Sequence, residues 1–174
     1  MRPAPSIVVR AEDSGSPAER SAIRKINEAA FGQPEEADLV DKLRGEGSVL
    51  ASLVAEIDGR IAGHILFSRM WIDTAEGAVE AAALAPMAVL PGDQRRGIGG
   101  ELIRHGLKLM RDQSERIVIV LGHPDYYPRF GFSVEAAQFL ESPFPKQAFM
   151  AIELSPGALE GVHGKVRYSP AFGI

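Results

Sequence analysis

Three glycines stand where a helix should begin, and this arrangement limits what the chain can fold into. An apolar run ends at Pro91, a polar turn follows, and Gly97, Gly99 and Gly100 then open a segment with helical periodicity. Glycine weakens a helix by about 1 kcal/mol relative to alanine, so another interaction must compensate for it. The order strand, glycine turn, helix is typical of phosphate sites, because unpaired N–H groups and the positive end of the helix dipole meet there.

The residues around the glycines narrow the kind of phosphate site. Arg95 and Arg96 precede them, and guanidinium groups form charge-assisted hydrogen bonds with phosphate. A Walker loop needs Gly-Lys-Ser/Thr, but Glu101 follows Gly100, and the glycine spacing differs from the dinucleotide-binding fingerprint. The pattern that fits is Q-x-x-G-x-G, starting at Gln94. A structural alternative stays open: glycines also allow close packing of a helix, and adjacent arginines are often only solvated.

The flanking segments predict a mixed α/β (α+β) fold with a three-stranded meander. Asp58-Gly59 is a preferred two-residue hairpin turn, and Pro86 predicts a bulge or splay in the third strand of the meander. The apolar run between Arg116 and Gly122 indicates a buried, parallel strand. We expect the tail after the late strand to be irregular. The predicted elements are a strand at 6–10, helices at 16–31 and 35–47, strands at 49–57, 60–73 and 79–90, a helix at 97–113, and strands at 116–122 and 148–154.

Composition excludes several functional classes. The chain has no cysteine, so a thiolate metal site or a cysteine nucleophile is impossible. A net charge of -4 argues against nucleic-acid binding, and no apolar run approaches the ~20 residues that span a bilayer. The N-terminus lacks the apolar segment of a signal peptide, which predicts a cytoplasmic protein without a membrane partner. The 174 residues, without repeats or a linker, predict a single domain over 1–174.

A second motif makes the resemblance to one family specific. The run "YYPRFGF" at 126–132 contains Y-x-x-x-G-F, from Tyr127 to Phe132, and follows the predicted parallel strand. Together with the loop at Gln94, it resembles the GNAT superfamily of N-acetyltransferases, and the run from Val120 onward looks most like its YhbS-like branch. The resemblance covers most of the chain. One departure is that Gly122-His123-Pro124 replaces an asparagine found in many members, so His123 takes over its contact or the contact is absent.

The resemblance implies a GNAT fold and acetyl-coenzyme A as co-substrate, with no metal. The central sheet would be mixed and mostly antiparallel, with a V-shaped splay between strands 4 and 5, and helices would flank it. The pantetheine arm would lie in the splay, and the pyrophosphate would lie on the N–H groups of 95–100. Either Arg95 or Arg96 would reach the 3′-phosphate. The implied coenzyme-binding residues are Met87, Ala88, Val89, Gln94, Arg95, Arg96, Gly97, Ile98, Gly99 and Gly100.

The resemblance also implies a catalytic tyrosine. Tyr127 matches the family tyrosine that donates a proton or hydrogen bond to the departing thiolate, although a packing aromatic is the alternative. Tyr126, one residue earlier, is expected to point elsewhere. For the general base the sequence offers Glu80, with Glu76 and His64 as further candidates. Each has a simpler explanation, as a surface charge for the glutamates and a hydrogen-bonded, half-buried side chain for the histidine.

The function predicted from these residues is acetyl transfer to a primary amine by direct attack in a ternary complex. The N–H of Val89 or Ala88 would hold the oxyanion. The acceptor would be a small-molecule or peptide amine, and a homodimer would be common for such a fold. The competing hypothesis is a non-catalytic acyl-coenzyme A sensor or interaction module on the same fold, which would need neither the tyrosine acid nor a base.

Overall fold

One mixed sheet organises the chain, which we describe from a computed structural model over residues 6–174. The strands of the sheet follow the order β1-β2-β3-β4-β5-β7, and β8 continues along the edge of β3 beyond β2. The strands are β1 (Ile7–Ala11), β2 (Val49–Ile57), β3 (Arg60–Thr74), β4 (Gly77–Val89), β5 (Ile117–Leu121), β6 (Leu140–Glu141), β7 (Phe149–Glu153) and β8 (Gly164–Arg167). The helices are α1 (Pro17–Phe31), α2 (Glu35–Glu46) and α3 (Ile98–Asp112).

Strand direction confirms the predicted fold class. Strands β4 and β5 pair in parallel, as do the short β6 and β8, and the other pairs are antiparallel. The parallel pair arises because α3 connects β4 to β5 across one face of the sheet, which a tight hairpin cannot do. The mixed, mostly antiparallel sheet flanked by helices is therefore as predicted.

Local sequence signals produce the predicted turns and caps. The side chain of Ser16 accepts a hydrogen bond from the backbone N–H of Glu19 at 3.2 Å and caps α1. Asp58 and Gly59 both adopt positive φ, at 52° and 77°, as a type I′ hairpin turn requires. These two signals fix the start of α1 and the register of β2 against β3.

Different helices cover the two faces of the sheet. Leu102 of α3 is buried in one cluster with Ile65 of β3. Leu43 of α2 is buried in a second cluster with Leu66, the next residue of the same strand. Since successive side chains of a strand point to opposite faces, α3 lies on one face, and α1 and α2 lie on the other.

Strand β4 parts from β5 halfway along its length. The two strands pair only at Ala82 and Ala83, although β4 continues to Val89. On its other side β4 stays paired with β3, through a register shift between Ile65 and Phe67, opposite the Pro86 region. Within residues 6–174, the second half of β4 therefore has no strand partner on the β5 side, and a gap opens there.

The tail after β7 corrects the prediction of irregular structure. Gly164–Arg167 forms β8 and pairs with Trp71–Thr74 of β3. Only Val166 of this strand is buried, so four residues carried too little periodicity to reveal it. The tail thus completes the sheet at the end of β3 far from the gap.

Candidate coenzyme and acceptor cleft

A large cleft occupies the gap between β4 and β5. Its volume is about 1270 Å³, enough for a coenzyme and part of a second ligand. It extends from the start of α3, along the unpaired half of β4, to the segment after β5. Of the predicted coenzyme-binding residues, those that line it are Met87, Ala88, Val89, Gln94, Arg95, Gly97, Ile98, Gly99 and Gly100, and Tyr127 lines it as well.

Two of the three glycines of the loop have a clear structural reason. Gly97 precedes α3 with φ 84°, a conformation that other residues rarely adopt. A β-carbon on Gly99 would lie 2.8 Å from the Tyr126 hydroxyl, and one on Gly100 would lie 3.5 Å from the Phe130 ring. Gly99 therefore lets the Tyr126 hydroxyl approach the start of α3, whereas the distance at Gly100 to the Phe130 ring is an ordinary van der Waals contact. Close packing, the structural alternative raised from the sequence, is thus part of the explanation, and it coexists with exposed helix N–H groups.

Polar contacts hold the loop before α3 in place. The Gln94 amide donates to the Val89 carbonyl at 3.1 Å, which ties the loop to the end of β4. The Asp93 carboxylate accepts two hydrogen bonds from Arg60, both at 2.7 Å, and lies 3.5 Å from Arg96. These cations lower the pKa of Asp93, chiefly through the hydrogen bonds from Arg60.

The two arginines of the loop differ in position. Arg95 lines the cleft and has positive φ, 65°. Arg96 is held near Asp93 and is not among the residues that line the cleft. Arg95 therefore lies against the cleft, whereas the guanidinium of Arg96 is held at the turn that precedes the loop.

Every second residue of the last part of β4 turns its backbone N–H and C=O groups toward the gap. The Leu90 N–H donates to the Ala62 carbonyl of β3 at 2.9 Å, so Leu90 turns its backbone groups toward β3. In an antiparallel pair these groups alternate along the strand, so those of Val89 and Met87 point away from β3 and into the gap. By the same alternation, the N–H of Ala88 points to β3. The contact from Gln94 to the Val89 carbonyl agrees with this direction.

Two adjacent tyrosines line the cleft. Tyr127 is only 8% exposed, and burial, with a smaller contribution from Tyr126, raises its pKa to about 12. Its ring meets Phe132 edge-on at 5.7 Å. Tyr126 is half-buried, and its hydroxyl lies above Gly99. The phenol of Tyr127 is therefore protonated near neutral pH, and its ring is held by packing.

The structure does not bring the candidate bases into the cleft. Glu80 is 68% exposed, pairs with Arg69 at 3.4 Å and lies opposite Trp71, at the other end of β4. Glu76 is exposed in the turn before that strand. Glu80, which the sequence offered as a general base, therefore lies outside the cleft. The reason is the length of β4, because residues at its start cannot reach the gap, which opens beyond Ala83.

His64 is a structural residue rather than a half-buried one. It is fully buried, with Nε2 2.8 Å from the Ser52 hydroxyl and Nδ1 3.3 Å from the Asn27 amide. Burial, and secondarily the charge of Arg44, lowers its pKa to about 3. The imidazole is therefore neutral at physiological pH and links β2, β3 and α1.

Sequence reasoning missed one whole wall of the cleft. The end of α1, the start of α2 and the end of β5 all contribute side chains there. No pattern connects these residues, because the chain brings them together only where the helices meet the splayed strands. The missed residues are Ala30, Phe31, Glu36, Leu39, Leu121 and Asp125.

Residues 6–174 contain neither a cluster that would hold a metal ion nor a helix that would span a membrane. No three His, Asp or Glu side chains come together there in a way that would hold a metal ion. No helix in the same range has the length and apolarity to cross a bilayer.

Comparison with known proteins identifies the family. Residues 14–134, more than half of the chain, match the family described as the acetyltransferase (GNAT) domain. The chain belongs to the GNAT acetyltransferases. A region of 117 residues is 44% identical to the N-acetyltransferase YjhQ of Escherichia coli and spans 64% of this chain and 63% of that relative. The N-acetyltransferase YhbS of the same species is 31% identical over 159 residues, 90% of this chain and 94% of the relative, which agrees with the YhbS-like branch.

Two solved structures of GNAT proteins are similar over nearly their full lengths. The crystal structure of Escherichia coli YhbS in complex with CoA has a TM-score of 0.88 and 30% identity, and covers 100% of this chain and 96% of that one. A GNAT acetyltransferase from Brucella melitensis, in complex with acetyl-CoA, has a TM-score of 0.78 and 34% identity. The match covers 96% of this chain and 98% of that one. The GNAT fold and the YhbS-like relationship are thus confirmed.

Proposed function

We propose that this GNAT acetyltransferase transfers an acetyl group from acetyl-CoA to a primary amine by direct attack in a ternary complex. The observation that carries the proposal is the cleft. A glycine-opened helix start, a strand edge without a partner and a buried, protonated tyrosine all line it. Relatives of known structure hold CoA or acetyl-CoA, which supports the same co-substrate here.

The residues of the cleft fit the parts of the coenzyme. The backbone groups of Met87 and Val89 face the gap and can pair with the amides of a pantetheine arm as a neighbouring strand would. The N–H groups at the start of α3, around Gly97 to Gly100, suit the pyrophosphate. Arg95 faces the cleft and Arg96 is held by Asp93, so we assign the 3′-phosphate contact to Arg95. Arg96 then contributes mainly its backbone N–H.

The chemical step needs one oxyanion donor and one proton donor. Acetyl-CoA supplies a thioester carbonyl, and an amine that attacks it places negative charge on the carbonyl oxygen. Of the two candidate N–H groups, that of Val89 faces the gap, so we assign the oxyanion contact to Val89 rather than Ala88. The C–N bond forms and the C–S bond breaks, the proton of the attacking nitrogen passes to solvent water, and Tyr127 donates its proton or a hydrogen bond to the departing thiolate.

The acceptor enters from the face that α1 and α2 cover. The coenzyme groups assigned above lie toward α3, on the other face of the sheet. The gap in the sheet connects the two faces, so the amine can reach the thioester from the side opposite the pyrophosphate. A small molecule or a peptide N-terminus both fit such an approach. The proposal assigns no role as base to Glu80, Glu76 or His64, because none of them lines the cleft.

Free thiol release tests the proposal. The purified protein is mixed with acetyl-CoA and a panel of primary amines, and the acetylated amine is verified by mass spectrometry. We expect amine-dependent thiol release, and a Tyr127→Phe variant should lose roughly 100-fold in kcat while its CoA affinity stays within about threefold. If the wild type and Tyr127→Phe both bound CoA with the same affinity and neither released thiol, the protein would instead be a coenzyme sensor.

A further inference from the structure

The wall of the cleft that α1, α2 and the end of β5 form combines exposed apolar side chains with the carboxylate of Glu36, and Asp125 lines the cleft in the segment after β5. Phe31 is 41% exposed and Leu121 43% exposed, and both are among the few large apolar side chains left open to solvent in residues 6–174. Leu39, which is partly buried, joins them on the same wall. Scattered exposed apolar residues are ordinary, but these three converge on one cavity. We call Phe31, Leu39, Leu121 and Glu36 the acceptor wall.

Glu36 brings the only carboxylate of the acceptor wall. The Gln33 amide donates to both of its oxygens, at 2.8 and 3.1 Å, and no Lys, Arg or His of the described chain forms an ion pair with it. Nearby Asp38 is different, because Arg24 pairs with it at 2.7 Å. Asp93, at the other end of the cleft, is neutralised by Arg60. Glu36 is therefore held in place by a neutral group, and its charge is available to a ligand.

We infer that the acceptor is a diamine-like cation whose two nitrogens are separated by an apolar spacer. This inference rests on the proposed function and names the class of amine that the cleft takes. One nitrogen, as the neutral amine, meets the acetyl group beside Val89 and Tyr127. The spacer lies against Phe31, Leu39 and Leu121, and the second nitrogen, still protonated, pairs with Glu36. A polar spacer would lose the apolar contacts, and a second group without charge would lose the ion pair.

Matched amines separate the two parts of the inference. Benzylamine, p-xylylenediamine and p-aminomethylbenzoate share a ring and an aminomethyl group, and differ in carrying no second charge, a positive charge or a negative charge. The diamine of triethylene glycol keeps both amino groups but has a polar spacer. We expect kcat/KM to be highest for p-xylylenediamine, about fivefold above benzylamine and above the glycol diamine, and lowest for the benzoate.

Two variants assign the preference to the acceptor wall. Glu36→Gln should lower the kcat/KM of p-xylylenediamine relative to that of benzylamine. Phe31→Ser should lower the kcat/KM of p-xylylenediamine relative to that of the glycol diamine. Glu35→Gln is the matched control. Glu35 is exposed at the start of the same helix but does not line the cleft, so both ratios should stay at their wild-type values.

Calorimetry with CoA-loaded protein distinguishes failure of this inference from failure of the proposed function. Preferred, Glu36-dependent binding of p-xylylenediamine without thiol release from acetyl-CoA would support the acceptor wall and contradict the enzymatic proposal. Thiol release with all four amines at similar kcat/KM would support the enzyme and overturn the inference. Binding or turnover that favours the benzoate would overturn the inference as well.

Discussion

The ring of Tyr127 fills the space that a side chain on Gly122 would need. A β-carbon at residue 122 would overlap the Cε2 and Cδ2 atoms of that ring. The Gly122 backbone cannot move away easily, because its N–H donates to the Ala148 carbonyl at 2.9 Å. This glycine has ordinary φ, so the ring of Tyr127, and not backbone strain, is what excludes a larger residue there.

Replacing Gly122 with alanine should therefore displace Tyr127, the proposed proton donor, without removing it. We expect kcat to fall by roughly 100-fold, because a shift of about 1 Å in a reacting group has an effect of this size. The CoA dissociation constant should change by less than about threefold. Steady-state kinetics and calorimetry give the two values. Gly45→Ala is the matched control, since a β-carbon there meets no atom within 4 Å. An unchanged kcat in Gly122→Ala would contradict the role of Tyr127.

Alanine at Gly99 should weaken coenzyme binding. The new methyl group would stand 2.8 Å from the Tyr126 hydroxyl and 3.5 Å from the Met87 methyl group, at the helix start to which we assign the phosphates. We expect the CoA dissociation constant to rise about tenfold, which corresponds to ~1.4 kcal/mol. Gly92→Ala in the preceding turn meets no atom within 4 Å and serves as the control. Wild-type affinity in Gly99→Ala would place the phosphates elsewhere.

The two loop arginines should respond differently to loss of the 3′-phosphate. Wild-type protein should bind CoA more tightly than dephospho-CoA, by roughly tenfold, because a charge-assisted hydrogen bond is lost with that phosphate. Arg95→Gln should bind both ligands equally. Arg96→Gln should keep most of the preference, since Asp93 holds that side chain. The opposite pattern in calorimetry would assign the contact to Arg96.

Burial of neutral His64 should make the protein acid-sensitive. Its folded pKa of about 3 lies below the ordinary 6.5, so the unfolded chain binds a proton that the folded chain refuses. The contribution of His64 to the free energy of unfolding is fully present above pH 6.5. It declines by about 1.4 kcal/mol for each pH unit between 6.5 and 3. His64→Asn will be less stable at pH 7.5, but the Tm difference from wild type should shrink as the pH falls to 4.5. A Tm difference that stays constant with pH would show that His64 binds its proton equally in the folded and unfolded states.

Local signals made the fold and half of the cleft predictable. The hairpin at Asp58 and Gly59 and the glycines before α3 depend on backbone conformations that few residues adopt, so the sequence shows them directly. Pro86 predicted a bulge or a splay in the third strand of the meander, and the role of Tyr127 was implied by the resemblance of Y-x-x-x-G-F to the family motif.

The remainder depends on where separate segments meet. Glu80 and Val89 lie on one strand, but only the position at which β5 departs shows that Glu80 is remote from the gap. Phe31, Glu36 and Leu121 form one wall because α1, α2 and β5 converge there, and no spacing in the chain encodes that convergence. Strand β8 depends on β3 as a template, since four residues cannot specify a strand alone.

The central claim is that the N–H groups of residues 95–100 hold the coenzyme diphosphate while β4 holds the arm. Hydrogen–deuterium exchange with and without saturating CoA measures this directly, amide by amide. We predict slower exchange at residues 95–100 and at Met87 and Val89, with no change in β8 at the far end of the sheet. Saturation of the protein with CoA and unaltered exchange in both segments would contradict the account.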